Sequence, residues 1–262
     1  NNQLSYEEQD SIWNKIYESY ERGSWIGIQY PTEVLVNFVS NLRKYDVSAE
    51  TYFQDCGKER SIRNNFSGRA LEIGFGSIAN LTMIRDKGFE CYGLEVSKES
   101  VIRGEKTMAE KGIKDIKLQF WEPHLIPFER DYFSLIFGMQ SIYYNLDLEA
   151  VVDEVFRVLK SGGNFLFSFF SERHGYMKYI QPVQEGIVRF GTNHPNPRLR
   201  GLYLRFLKSP EELKILFANF KDVKKNGKSI VLINIIISTS RELSFRHPLC
   251  TTTVLDDRTA PD

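Results

Sequence analysis

From about residue 69 the chain alternates short apolar runs with helical stretches, the pattern of a parallel sheet joined by crossover helices. Strands are expected near 69–73, 89–95, 115–121, 132–138 and 163–169, and helices near 78–87, 97–112 and 147–160. The last helix places Leu148, Val151, Val152, Val155, Phe156 and Leu159 on one face and runs towards Gly162-Gly163, which reads as a glycine cap. With 262 residues, the chain is long enough to bury an α/β core without disulfides or metals.

The flanks read differently. Residues 5–22 and 31–44 have the spacing of amphipathic helices, so 1–65 is expected to be an N-terminal helical cap. Residues 171–208 interrupt the alternation as an inserted lid. Ser209-Pro210-Glu211-Glu212 then carries the signals of a helix start. Two strands, near 222–226 and 229–238, are expected to form a hairpin through Asn226-Gly227, which would make the last one antiparallel. The core thus spans 66–240, and 241–262 reads as a flexible tail.

The chemistry concentrates at the end of the first strand. Glu72-Ile73-Gly74-Phe75-Gly76 turns on two glycines and opens a helix, where backbone can approach a ligand and N–H groups face an anion. Alone, Gly-Phe-Gly-Ser-Ile-Ala also satisfies the dinucleotide fingerprint. Glu72, however, would repel a pyrophosphate, whereas it suits the ammonium and sulfonium of S-adenosylmethionine. Glu95 ends the second strand, where such folds hold ribose hydroxyls with a carboxylate. Glu122 follows the third strand, which puts three carboxylates at three successive strand ends.

These residues together resemble the class I S-adenosylmethionine-dependent methyltransferases. The glycine turn with its preceding acid is Glu72, Gly74, Phe75 and Gly76. The ribose acid is Glu95, beside Val96. Ile126-Pro127-Phe128 matches the family's Leu-Pro-Phe stretch and points back to Glu122 for the adenine amino group. Phe156-Arg157-Val158-Leu159-Lys160-Ser161-Gly162-Gly163 matches its Arg-Val-Leu-Lys-Pro-Gly-Gly turn. Pro123 departs from the pattern, having no N–H to give adenine. The resemblance implies an α/β, Rossmann-like doubly wound sheet, mostly parallel with an antiparallel C-terminal strand, plus N-terminal helices and an inserted cap. It also implies S-adenosylmethionine as cofactor, with Gly138 and Met139 at the methionine end of the site.

Beyond the fourth strand, Tyr143 and Tyr144 are candidates to shape the acceptor pocket, and Tyr143 a candidate for catalysis. His174 and His194 lie in the insertion, where either could act as a general base for a hydroxyl acceptor. The insertion is also basic: Arg173, Lys178, Arg189, Arg198, Arg200, Arg205 and Lys208 stand against Glu185 alone. Arg189, Arg198 and Arg200 are therefore candidates to bind an anionic acceptor. The expected activity is direct in-line methylation of a hydroxyl, amine or carboxylate on a small molecule. An NAD(P)-dependent oxidoreductase and an inactive S-adenosylmethionine-binding scaffold are the competing readings.

Lys plus Arg equals Asp plus Glu at 34 each, and no basic stripe with interleaved aromatics marks a nucleic-acid track. The scattered Cys56, Cys91, Cys250 and four histidines suggest neither a disulfide framework nor a metal site. The polar start and the lack of any ~20-residue apolar run point to a cytoplasmic protein without a membrane partner. The sequence does not indicate an oligomeric state.

Overall fold

In the computed structural model, the described residues are 6–18, 30–33, 35–36, 38–39, 68–123, 125–170, 174–207, 212, 215–217, 220, 229–235 and 252–253. Five parallel strands form the frame: β1 (Gly68–Ile73), β2 (Phe89–Glu95), β3 (Ile116–Phe120), β4 (Phe133–Gly138) and β5 (Leu159–Phe170). With β9 (Ser229–Ile235) and β10 (Thr252–Thr253) they make a seven-stranded sheet of order β10-β9-β5-β4-β1-β2-β3. The chain winds outward from β1 to β3, then restarts at β4 on the other side. The crevice between β1 and β4 is a topological switch point, where open α/β sheets bind ligands.

Helix α1 (Tyr6–Glu18) precedes the sheet, and α2 (Ala79–Asp86), α3 (Lys98–Glu110) and α4 (Leu148–Val158) connect its strands. Ser97 caps α3 by accepting from Ser100 N, and Asp147 caps α4 by accepting from Ala150 N. No side chain caps α2, so its first turn faces the glycine turn with backbone N–H groups. One layer of core, around Leu71, Ile136, Val152 and Phe165, lies under α4. The other, around Ala70, Phe75, Leu81 and Leu135, also receives Leu35, Phe38 and Val39 from the second N-terminal helical stretch.

Two expectations are corrected here. Helix α4 ends at Val158 and passes straight into β5, with no glycine cap. Leu159 pairs with Phe133, but the next partners are Asn164 and Leu135, so Lys160–Gly163 form a bulge in which Gly162 takes φ 76°. The strand at 229–235, expected to be antiparallel, instead runs parallel to β5. The antiparallel edge is Thr252–Thr253, paired with Leu232 and Ile233. Asn226-Gly227, the first half of the proposed hairpin and most of the two terminal segments lie outside the described residues, as do Arg173 and Lys208.

The insertion is a small antiparallel sheet of β6 (Ile180–Gln184), β7 (Ile187–Phe190) and β8 (Tyr203–Arg205). Val188, Phe190, Leu202 and Leu204 pack against Ile16 of α1, Tyr143 and Phe170, and so bring the insertion over the C-terminal ends of β4 and β5. Among the described residues, no helix is long and apolar enough to cross a membrane, and no group of three or more His, Cys, Asp or Glu is placed to hold a metal ion.

Candidate cofactor and acceptor site

The glycine turn closes tightly on its neighbours. Gly74 N donates to Leu94 O at 2.8 Å, and Ser141 Oγ donates to Ile73 O at 2.6 Å. Gly74 and Gly76 have φ 71° and 49°, values L side chains rarely adopt. A Cβ on Gly74 would collide with Ser141 and one on Gly76 would lie 2.8 Å from the Tyr17 hydroxyl. Phe75, expected to line the cofactor site, instead turns its ring down into the core, where Gly93 and Gly104 leave space for it. Its part in the turn is played by its backbone.

Two carboxylates sit buried on either side of this turn. Glu72 accepts from Asn80 Nδ2 at 2.7 Å through Oε1, while its Oε2 has no partner among the described residues. Burial pushes its pKa well above the ordinary range; the Asn80 hydrogen bond opposes the shift and Glu95 adds to it. Glu95 Oε2 accepts from Gly76 N at 2.9 Å and Oε1 accepts from Val96 N at 2.9 Å. Burial nevertheless raises its pKa to about 7, backbone donors at Gly76, Val96 and Ser97 offset part of the rise, and Asp10 adds to it. Trp121 N donates to Glu95 O, holding the start of the Glu122 loop against β2. Glu122 is exposed and Pro123 buried.

The sequence reading missed the contribution of α1. Asp10 is half-buried, and its pKa rises to about 6 through burial and then through Glu122. Asp10 therefore lies close to both Glu95 at the end of β2 and Glu122 in the loop after β3. Asn14 Oδ1 accepts from Ser97 Oγ at 2.8 Å, and Tyr17 reaches Gly76. Asp10, Asn14 and Tyr17 recur at helical spacing, which was the one signal in the sequence, but only the structure shows what that stripe covers. Asn80 was missed too; it ties Glu72 to Thr32 N at 2.9 Å.

Across the switch point, Gly138 and Met139 are buried at the end of β4, and a Cβ on Gly138 would collide with Ile142. Tyr143 and Tyr144 follow, with ring centroids 4.6 Å apart, and Tyr143 packs on Phe170 at 4.6 Å. Their hydroxyls hydrogen-bond each other, and burial raises the pKa of both. Neither phenol is poised to ionise near neutral pH. His174 and His194 flank Tyr176, with centroids at 4.7 and 4.6 Å. Both are buried, and burial lowers both pKa values.

The described arginines of the insertion are not drawn into this cluster. Arg189 alternates with the inward-facing Val188 and Phe190, and lies beside Gln181 and Tyr203 on the opposite face of the lid. Arg200 is exposed and donates to His194 O at 2.8 Å. Arg198 is half-exposed on the Pro197–Leu199 turn. Arg205 pairs with Glu149 at 2.8 Å. Arg189, Arg198, Arg200 and Arg205 therefore lie outside the apolar inner face of the insertion.

Residues 71–167 match the methyltransferase domain family. This segment is a methyltransferase domain, similar to the class I S-adenosylmethionine-dependent methyltransferases. The uncharacterized methyltransferase YcgJ of Bacillus subtilis is 32% identical over 98 residues, covering 37% of this chain and 39% of the relative. The sarcosine/dimethylglycine N-methyltransferase of Aphanothece halophytica is 29% identical over 167 residues, covering 61% of this chain and 60% of the relative. The chain thus spans less than two thirds of either. A structure reported for the conversion of a disulfide bond into a thioacetal group during echinomycin biosynthesis shares the fold, with TM-score 0.53, 14% identity and coverage of 80% of this chain and 77% of that one.

The site fits the cofactor this family implies. The unpaired Glu72 oxygen and the protonation-prone Glu95 are buried acids that a cation would stabilise as carboxylates. S-adenosylmethionine carries two positive groups, an ammonium and a sulfonium. Glu95 stands where a ribose diol would be held, and the uncapped first turn of α2 suits the amino-acid carboxylate.

Proposed function

We propose that this chain is an S-adenosylmethionine-dependent methyltransferase acting on a small-molecule acceptor. The observation that carries the reading is the pair of buried carboxylates, Glu72 and Glu95, around a glycine turn at the switch point of the sheet. A pyrophosphate-binding oxidoreductase would have to place anionic phosphates against Glu72, where burial and the neighbouring Glu95 already disfavour negative charge.

Bound there, the cofactor supplies a methyl group on a sulfonium, whose thioether leaves without charge. Glu72 and Asn80 would hold the amino-acid end, Glu95 the ribose, and Glu122 with Asp10 the adenine edge. Tyr17 and the glycine turn would close over the cofactor, while Gly138 and Met139 set the end of β4 beside the methyl group. Such a transfer needs alignment above all, and the packed α1 and lid supply it by fixing the acceptor in line and keeping out water.

A thermal-shift comparison tests the reading. S-adenosylmethionine and S-adenosylhomocysteine should raise the melting temperature, NAD should not, and Glu95→Gln should reduce the shift with S-adenosylmethionine. Stabilisation by NAD alone would overturn it.

The small-molecule reading rests on the closed lid and on the relatives that act on sarcosine and dimethylglycine, sterols or demethylmenaquinone by name. Formation of S-adenosylhomocysteine with a small-molecule panel, against protein and RNA controls, checks it. A cytoplasmic location remains our proposal, open to direct imaging of the tagged protein.

A further inference from the structure

His174 carries a feature that the cofactor site does not use. It is 3% exposed, and its Nδ1 accepts a hydrogen bond from Tyr176 N at 3.0 Å. A neutral imidazole has one proton, so a ring whose Nδ1 accepts must carry that proton on Nε2. Burial, reinforced by His194, lowers its pKa to about 4, which keeps the ring neutral near pH 7. His174 Nε2 is therefore a buried N–H donor, and it has no partner among the described residues. Leaving a buried donor unpaired incurs its full desolvation cost, so an oxygen placed against it would be stabilised.

The surroundings define what could bring that oxygen. Phe170 and Tyr176 stand edge-on to the His174 ring at 4.4 and 4.7 Å. Phe170 continues to Tyr143, whose hydroxyl meets that of Tyr144, and Trp13 lies edge-on to Tyr144 at 4.9 Å. Ser141, two residues before Tyr143, packs on Gly74, so this aromatic wall is continuous with the glycine turn. The wall carries no formal charge: both phenols and the imidazole are neutral. A charged ligand would lose its hydration here with no counter-charge in return, whereas a purely apolar one would leave the N–H unpaired.

We propose that His174 binds the methyl acceptor, donating from Nε2–H to a carbonyl or hydroxyl oxygen of an uncharged aromatic or apolar small molecule seated against Tyr143, Tyr144, Phe170 and Tyr176. This rests on the methyltransferase reading and replaces the expectation of an anionic acceptor. It also replaces the general-base role for His174: its unprotonated nitrogen is engaged by Tyr176 N, and the other already carries a proton.

Two measurements on the full chain test this. Long-range 1H–15N correlation of the labelled protein should show the Nε2–H tautomer for His174, unchanged between pH 8 and pH 5; an Nδ1–H tautomer, or a titration midpoint near 6.5, overturns the donor assignment. The second measurement is calorimetric binding, in S-adenosylhomocysteine, of 4-hydroxyacetophenone, 4-hydroxybenzoate and tyramine, three ring-matched probes that are uncharged, anionic and cationic. The uncharged probe should bind best and lose about tenfold in affinity in His174→Phe, while the melting shift caused by S-adenosylmethionine stays the same. His174→Asn, which can still cap Tyr176 N, should restore the melting temperature without restoring that affinity. Preference for either charged probe, no binding of the uncharged one, or an unchanged affinity in His174→Phe overturns the proposal. Loss of the S-adenosylmethionine shift in the wild-type chain would instead remove the methyltransferase reading.

Discussion

Glycines mark both what the sequence discloses and what it hides. Gly74 and Gly76 are legible because turn geometry is local: two glycines between an apolar strand and a helix announce positive φ. Gly93 and Gly104 are not, because their reason lies elsewhere in the chain, in the Phe75 ring that fills the space each leaves. A Cβ on Gly93 would stand 2.7 Å from Phe75 Cδ1 and 2.9 Å from Leu81 and Leu118. Gly93→Ala should thus destabilise the fold by about 1–3 kcal/mol through overpacking, read by urea denaturation. A loss below the measurement error would mean that Phe75 moves aside freely. Gly76→Ala acts differently, combining strain at φ 49° with a clash against Tyr17. It should cost about 1 kcal/mol or more. Adding Tyr17→Phe should recover the part due to the clash and leave the backbone strain, so a double-mutant cycle should show coupling between the two sites.

At the scale of elements, periodicity located β1 to β5 and α2 to α4 to within a few residues, because buried parallel strands and amphipathic helices have distinct repeats. It failed at joints. The Gly162-Gly163 pair looks like a helix cap from sequence, yet the same glycines serve a bulge inside β5, since both demand the same backbone freedom. Strand direction at 229–235 was equally hidden, because pairing is decided by the partner and not by local pattern. Helix α1 shows the same limit. Its amphipathic stripe was visible, but not that Gln9 would join it to two other elements. Gln9 Nε2 donates to Tyr203 O at 2.7 Å and Tyr144 O at 3.0 Å, and Gln9 Oε1 accepts from Tyr203 N at 3.0 Å. Gln9→Leu would leave buried backbone groups of β8 unpaired, at a cost of about 1–3 kcal/mol. Hydrogen exchange should show α1 opening more often, with S-adenosylmethionine affinity falling as Asp10, Asn14 and Tyr17 leave the site. Unchanged exchange in α1 would mean that its apolar contacts alone hold it.

Across the whole molecule, the order of the strands brings acids from β1, β2, the loop after β3 and α1 to one crevice. Their identities were legible except for Asp10, whose position depends on a packing contact spanning more than eighty residues of sequence. Crowding of buried carboxylates gives the molecule a definite pH dependence. Glu95 has a folded pKa of about 7 against an ordinary 4.5, so the folded state holds its proton more tightly than the unfolded state. The stability this confers is complete below pH 4.5 and is lost as pH rises through about 7. Asp10, raised from 3.8 to about 6, acts in the same direction over a lower window. A bound sulfonium and ammonium favour the ionised acids, so S-adenosylmethionine binding should release protons between pH 5 and 7, and affinity should rise with pH across that range. Calorimetry at pH 6 in two buffers of different protonation enthalpy should report release of roughly half a proton or more. S-adenosylhomocysteine, which lacks the sulfonium charge, should release fewer, and Glu95→Gln should lower the release for either ligand while leaving the shares of Glu72 and Asp10. Net proton uptake would show that the buried acids are not ionised by the cofactor, and that Glu95 holds the ribose in its protonated form.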